Sequence, residues 1–403
     1  MSRQIGNAGR HLKTRINGLF GGLATLLMFA SLPAFAQQPP RAAETDPCCA
    51  PSVSTAQNSL AVPLAAEPAA FQFQFPRDYF NHPSYSWEWW YYSGNLRGED
   101  EHDYGFELVF FRKTPKPGVK ASASGPSTYY FADLAISDLT RGRFYYYKRF
   151  RPDEKDYAGV DPIRGVWNGD WQVKWLGATL QDQELEAASE QSGIHLLLHP
   201  EKPPVIHDQG GVFSKDHSPE NSGHYFSFTR ITASGDLVVN DVKLSVHGLA
   251  WMDHEFFDLA NGEKMPAWDW FAIQLNDGRD LMLYRLRNSD GSASSLAAGT
   301  LVDKNGSVYH LAPGSFKARP GTTWSSPVSG GQYPVDWSIT IPSESLFIHA
   351  VTRLPSQELA SKKGDATPTY WEGAIRYTGT SGSKAVAGLG YLEMTGYAQQ
   401  QPK

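Results

Sequence analysis

YSWEWWYYSGNL (residues 85–96) sets three tryptophans and three tyrosines around a single carboxylate, Glu88, within twelve positions. In an extended strand alternate residues share a face. Trp87, Trp89 and Tyr91 then point one way, and Glu88, Trp90 and Tyr92 the other. One reading has one face filling a barrel core while Trp90 and Tyr92 seal a domain interface or a barrel end. The other has some of these rings lining a ligand, since a barrel of about eight strands can hold one small molecule.

The stretch has an internal echo. Trp87-Glu88-Trp89-Trp90 is answered 181 residues later by Trp268-Asp269-Trp270-Phe271, and Asn95 by Asn276 in the turn that follows. GFELVFFR (105–112) is then matched by DLMLYRLR (280–287). One aromatic–acid–aromatic hairpin opens each half, which predicts two similar β-domains in tandem. Glu88 and Asp269 are expected at comparable strand positions, each held by hydrogen bonds or an arginine.

Outward from the echo, runs of period two recur with turn residues between them. They cover 104–112, 129–139, 142–150, 169–177, 194–200, 224–231, 242–256 and 335–342. Asp277-Gly278 and Asn305-Gly306 mark hairpin turns. DQELEAASE (182–190) could form at most a turn or two of helix, and no segment carries a long helical period. The chain reads as all-β, in keeping with 403 residues that are 13% aromatic and contain 37 Gly and 27 Pro.

The first 36 residues read as a signal peptide. Arg3, Arg10, Lys13 and Arg15 form a basic region, Leu19 to Leu32 a short apolar stretch, and Ala34-Phe35-Ala36 a cleavage site. The apolar stretch is too short to span a bilayer comfortably. The expected product is a periplasmic or secreted protein, not an integral membrane one. Residues 37–70 form a Pro/Ala-rich lead-in; 71–245 and 246–398 form the two domains. Losing the leader takes the formal charge from −6 to about −10, so no basic surface invites nucleic acid. Cys48 and Cys49, the only cysteines, are adjacent in the lead-in, which excludes a dispersed disulfide framework.

GLAWMDHEFF (248–257) is the first candidate for chemistry. As a strand it places Trp251, Asp253 and Glu255 on one face and Met252, His254 and Phe256 on the other. An acid among aromatics is either a paired structural carboxylate or, desolvated, a group whose pKa rises until it can act as a general acid. Both fates are open at Asp253. HYFSFTRI (224–231) is the second candidate, through His224 and Phe226 on one face. No G-x-S-x-G elbow, zincin helix, phosphate loop or dinucleotide fingerprint occurs. His195, His199, His207, His217 and His224 cluster with Asp208 and Asp216 in spacings that match no metal template. No cofactor and no metal are expected.

These motifs resemble the AttH-like family, which includes the carotenoid 1,2-hydratases (hydroxyneurosporene synthases) and proteins labelled predicted secreted hydrolases. The matching stretches are YSWEWWYYSGNL, GHYFSFTR, GLAWMDHEFF, WDWFAIQLNDGRDLMLYRLR, YWEGAIRYTG (370–379) and GYLEMTGY (390–397). The resemblance implies two tandem lipocalin-like β-barrel domains packed side by side. In the hydratase branch an Asp two residues after an aromatic one protonates a C=C bond, with a His on an earlier strand in support. Carried onto this chain, the catalytic pair is Asp253 and His224, and Trp251, Phe226, Trp268 and Trp270 line the substrate. The hydratases have Tyr at the place of Trp251 and Trp at that of Phe226. If the chain is an enzyme, the resemblance implies a hydratase-like hydro-lyase or a secreted hydrolase. The alternative is a non-catalytic carrier of a hydrophobic, isoprenoid or lipid-like molecule serving an ABC-transporter permease.

Overall fold

The computed structural model describes residues 71–114, 128–151, 156–207, 213–214, 222–259, 265–288, 291–295 and 297–398. All of them lie in the unit Glu67–Lys403. The leader, the lead-in with Cys48 and Cys49, and Asp208, Asp216 and His217 lie outside the described residues.

Alternating burial makes the strands. The period-two stretches form Asp103–Lys113, Tyr129–Asp138, Arg143–Phe150, Trp171–Leu176, Ser192–Pro200, Ser222–Val239, Val242–Phe257 and Asp336–Ile341. Asp182–Ser189, given at most a turn or two of helix from its sequence, is a strand as well. Its Gln183, Leu185 and Ala187 are buried in alternation, and that packing overrides the helix preference of its Glu, Leu and Ala residues. Among the described residues the only helical elements are single 3-10 turns, Arg77–Tyr79 and Pro342–Glu344.

Two large antiparallel sheets result, each curled around its own core in the manner of a lipocalin-like barrel. In the first, Trp87–Gly98 pairs with Asp103–Lys113 on one side and with Val242–Phe257 on the other. The sheet then continues through Ser222–Val239 and Ser192–Pro200. In the second, Ala267–Leu275 pairs with Asp280–Arg287 and with Lys384–Thr395 in the same way. Each aromatic–acid–aromatic strand therefore joins the beginning of its sheet to its end, and the sequence echo is an echo of topology. Val242–Phe257 crosses the expected domain division at 245/246 and lies wholly in the first sheet, held on both edges. The second sheet begins at Ala267.

The strand alternation of 87–92 is as read, but the two faces are exchanged. Trp90 and Tyr92 fill the first barrel's core with Phe106, Leu108, Phe110 and Phe228. Trp89 and Tyr91 instead look outward, against Trp268 and Trp270 of the second sheet (ring centroids 6.4 and 5.4 Å apart). The reason is Glu88, which shares the face of Trp90 and Tyr92 and finds its partners there. Tyr91, Val109 and Trp251 pack with Ala272, Met282 and Tyr284 into a third core between the sheets. Strands covered on both faces become apolar on both. The seam is also tied by polar bonds: Lys202 and Arg230 of the first barrel each reach Asp280 of the second at 2.6 Å. Gly105 permits this approach, because a Cβ there would stand 2.6 Å from the Tyr391 hydroxyl.

Glu88 and Asp269 do occupy matching positions. Glu88 stands directly opposite Arg112 and is fully buried; it accepts from Arg112 Nε (2.8 Å), the His82 amide and ring, and His254 Nε2 (2.9 Å). Burial pushes its pKa up, but the His254 and His82 bonds outweigh that and hold it at about 2. Asp269 stands opposite Arg285 and is bonded by Arg285, Arg287 and the Tyr397 hydroxyl. Removing one partner of a buried ion pair strands the other charge, at a cost of about 3–5 kcal/mol. Arg112→Met should therefore lower the unfolding free energy in urea by about that much, and adding Glu88→Gln should restore part of it. A single variant as stable as the parent would refute the role given to this pair.

Candidate functional site

Between the two barrels lies a cavity of about 160 Å³. Its size resembles that of a buried apolar cavity of roughly 150 Å³ that binds benzene. Trp87, Trp89 and Tyr91 of the first sheet face Trp268, Trp270 and Tyr284 of the second across it. Asp253, Glu255, Glu107, Glu372 and Glu393 bring carboxyl groups to the same walls. The barrel interior proper, where a lipocalin-like ligand would be sought, is packed with the aromatic core of Trp90, Tyr92, Phe106 and Phe226. The cavity belongs to the seam.

Strand parity delivers Asp253 to it. Trp251, Asp253 and Glu255 project from Val242–Phe257 toward the second barrel, while Met252, His254 and Phe256 project into the first. On the neighbouring strand Ser227 stands opposite Asp253, and Tyr225 opposite Glu255. Asp253 Oδ1 accepts from Ser227 Oγ and from Trp251 Nε1 (2.7 Å). Tyr225 approaches the same carboxyl, and its own oxygen accepts from Trp270 Nε1 at 3.0 Å. No Lys, Arg or His bonds Asp253 among the described residues. Burial pushes its pKa up, the Ser227, Trp251 and Tyr225 bonds pull it down, and the outcome is about 7.

A hydrogen-bonded chain runs back from this carboxyl. Ser227 Oγ lies 2.7 Å from His207 Nε2, and His207 Nδ1 lies 2.9 Å from Thr300 Oγ1 on the second barrel. Burial depresses the His207 pKa to about 3, so the ring is neutral at ordinary pH. One nitrogen then donates and the other accepts. Because Ser227 donates to Asp253, His207 Nε2 donates to Ser227 and Nδ1 accepts from Thr300, so the chain is polarised toward Asp253.

His82, Glu88 and His254 form a grouping whose ligand atoms lie within 4.8 Å of one another. Both imidazoles already bond Glu88 Oε1, and Arg112 occupies Oε2. A guanidinium at that distance supplies the positive charge a metal would otherwise bring. The arrangement fits a structural ion cluster.

The AttH-like family profile matches residues 66–397, nearly the whole described structure. The chain belongs to the AttH-like family. An AttH protein from Nitrosomonas europaea superposes with a TM-score of 0.72 at 26% identity, over 84% of this chain and 99% of that one. Kievitone hydratase from Nectria haematococca superposes with a TM-score of 0.60 at 18% identity, over 76% and 88%, a likeness of fold alone. No curated protein matches the sequence.

In this AttH-like chain, four of the residues expected at the site come together. Asp253, Trp268 and Trp270 line the cavity, and Trp251 bonds Asp253 from behind. His224 and Phe226 do not join them. They stand opposite Phe256 and His254 on the first barrel's inner face, where His224 stacks on Phe71 at 4.1 Å between ring centroids. The residues beside Asp253 are the alternate ones, Tyr225 and Ser227, which sequence reading passed over along with Glu107 and Glu372, while His207 was weighed only in the histidine cluster. For the two glutamates a signal existed: each is a lone acid inside an apolar strand, in GFELVFF and YWEGA. For Tyr225 and Ser227 the facing side is fixed only by pairing register, which the sequence does not state.

The raised pKa of Asp253 has a stability consequence. From its ordinary 3.8 up to about 7 the folded chain holds this proton and the unfolded chain does not. The associated stabilisation is complete below the lower value and is lost as pH rises through the upper one, by on the order of 4 kcal/mol. Asp253→Asn should remove this part of the pH slope, leaving the variant more stable than the parent at pH 8 and similar to it near pH 4. Denaturant titrations at the two pH values check it; parallel pH profiles for both proteins would contradict it.

Proposed function

We propose that the protein is an exported binding protein for a hydrophobic small molecule seated between its barrels, and that Asp253 donates a proton to a C=C bond of that molecule. The observation that carries the reading is a buried carboxyl with a pKa of about 7 on the wall of an aromatic cavity. A general acid works best when its pKa lies near the operating pH.

The chemistry would run as an addition of water. Two donors converge on Oδ1 of Asp253, so the transferable proton resides on Oδ2. The alkene π pair takes that proton to form the new C–H bond, leaving a carboxylate and a carbocation. The faces of Trp268 and Trp270 and the neighbouring carboxyl groups are suited to stabilising that positive charge. Water then bonds to the cation and returns one proton to Oδ2 of Asp253, while Ser227 and Trp251 hold Oδ1 in place. The second reading is a carrier that hands its ligand to an envelope transporter. It draws on the same hydrogen bonds, since a carboxyl held by Ser227 and Trp251 is also a sound structural device.

Asp253→Asn distinguishes the two. The test begins by identifying the small molecule that copurifies with the native protein, by mass spectrometry of the extracted ligand. Incubated with that molecule, the parent should yield the product heavier by one water. The variant should bind it equally and form product about 10²–10⁴-fold more slowly. Parent activity should also fall as pH rises through about 7, where the acid loses its proton. If parent and variant both return the ligand unchanged, the protein is a carrier.

A further inference from the structure

The cavity walls carry five carboxyl-bearing side chains and, among the described lining residues, no Lys, Arg or His. Such a composition is costly. A buried carboxylate must be protonated, hydrogen-bonded or paired with a cation. Asp253 and Glu393 receive indole N–H groups, from Trp251 and Trp268. Glu107 and Glu372, both 1% exposed, are only half served. Tyr370 bonds Oε1 of Glu107 at 3.0 Å and Tyr91 bonds Oε1 of Glu372 at 2.7 Å. The second oxygen of each, Oε2, is buried without any hydrogen-bond partner.

The surroundings favour the neutral form of these two groups. Burial and the charge of Asp133 push the Glu107 pKa well up; burial and the charge of Glu393, its direct cross-strand neighbour, do the same to Glu372. Lys148 is the cation on the adjoining strand, and it is committed to Asp133, Thr367 and the Pro368 carbonyl. The Tyr370 hydroxyl also lies 3.0 Å from Asp133, and its single hydrogen cannot serve both acids. Asp133 is already paired to Lys148, whereas no Lys or Arg bonds Glu107 among the described residues.

We propose that the ligand of this cavity is an apolar amine in its ammonium form, its N–H groups pairing with the carboxyl groups of Glu107 and Glu372 and its body lying against Trp87, Trp89 and Trp268. The inference rests on the reading that the cavity takes a hydrophobic small molecule, and adds the charge that molecule carries. Aromatic faces attract an ammonium group, and the chain's negative net charge favours its approach. Binding expels a proton: when the ammonium arrives, a carboxyl that was neutral becomes the carboxylate that pairs with it. Affinity therefore weakens as pH falls. Asp253, which Glu372 senses electrostatically, remains free to face the rest of the molecule.

Three isosteric probes test this on the full chain: phenylbutylamine, phenylbutanol and phenylbutanoate, titrated calorimetrically near pH 7 in phosphate and in Tris. The amine should bind at least about tenfold tighter than the alcohol, as a charge-assisted hydrogen bond requires. Its heat should differ between buffers by the ionisation of about one released proton. In Glu107→Gln/Glu372→Gln the amine preference and the proton release should vanish while phenylbutanol still binds. If the alcohol or the carboxylate binds the parent as tightly as the amine, the ammonium inference is overturned and the hydrophobic-ligand reading stands. If none of the three binds, both are overturned.

Discussion

The antiparallel pairing of Trp87–Gly98 with Val242–Phe257 places nearly everything else in this molecule. It joins the first strand of a sheet to its last, closes the first core, and turns alternate residues of both strands out toward the second barrel. Ala267–Leu275 with Lys384–Thr395 does the same for the second sheet. Because these strands are covered on both faces, each must be apolar on both. The result is three cores from two sheets, the third being the seam that holds the cavity.

Two kinds of buried acid divide the labour. Glu88 and Asp269 sit opposite arginines and are bonded several times over, so they act as fixed points of the strand pairs. Asp253, Glu107 and Glu372 lie one strand face away and have hydroxyl or indole donors in place of cations. Burial therefore wins, and their pKa values rise. The same residue types, separated by strand parity and by what stands across the pair, give an anchor in one place and a proton-holding wall in the other.

That contrast also explains the position of the cavity. A lipocalin-like barrel would ordinarily be searched for a ligand inside, but rings of Trp, Tyr and Phe occupy the first interior. Acids cannot be placed there without cations. At the seam, two outer faces meet and leave room for aromatic walls and carboxyl groups. The Ser227–His207–Thr300 chain crosses from one barrel to the other at this place, so the protonation of Asp253 is tied to the contact between barrels.

Much of this was legible in the residues. Period-two runs, the turn at Asp277-Gly278 and the 181-residue echo determine an all-β chain of two related halves, because side-chain alternation is a local property of an extended backbone. The matching places of Glu88 and Asp269 follow from the same echo. Parity likewise put Trp251, Asp253 and Glu255 on a common face. Which face looks inward was not legible, and Trp90 and Tyr92 went to the core where the seam was expected. Nor could His224 be set beside Asp253 or removed from it. Residues on different strands share a surface according to register, and a shift of one residue exchanges every partner. Tyr225 and Ser227, not His224 and Phe226, face Asp253 because the tertiary pairing of Ser222–Val239 with Val242–Phe257 puts Ser227 across from Asp253. The unpartnered oxygens of Glu107 and Glu372 are likewise a tertiary fact: lone acids in apolar strands are visible in sequence, but whether an arginine or an empty wall meets them is decided only when two sheets pack.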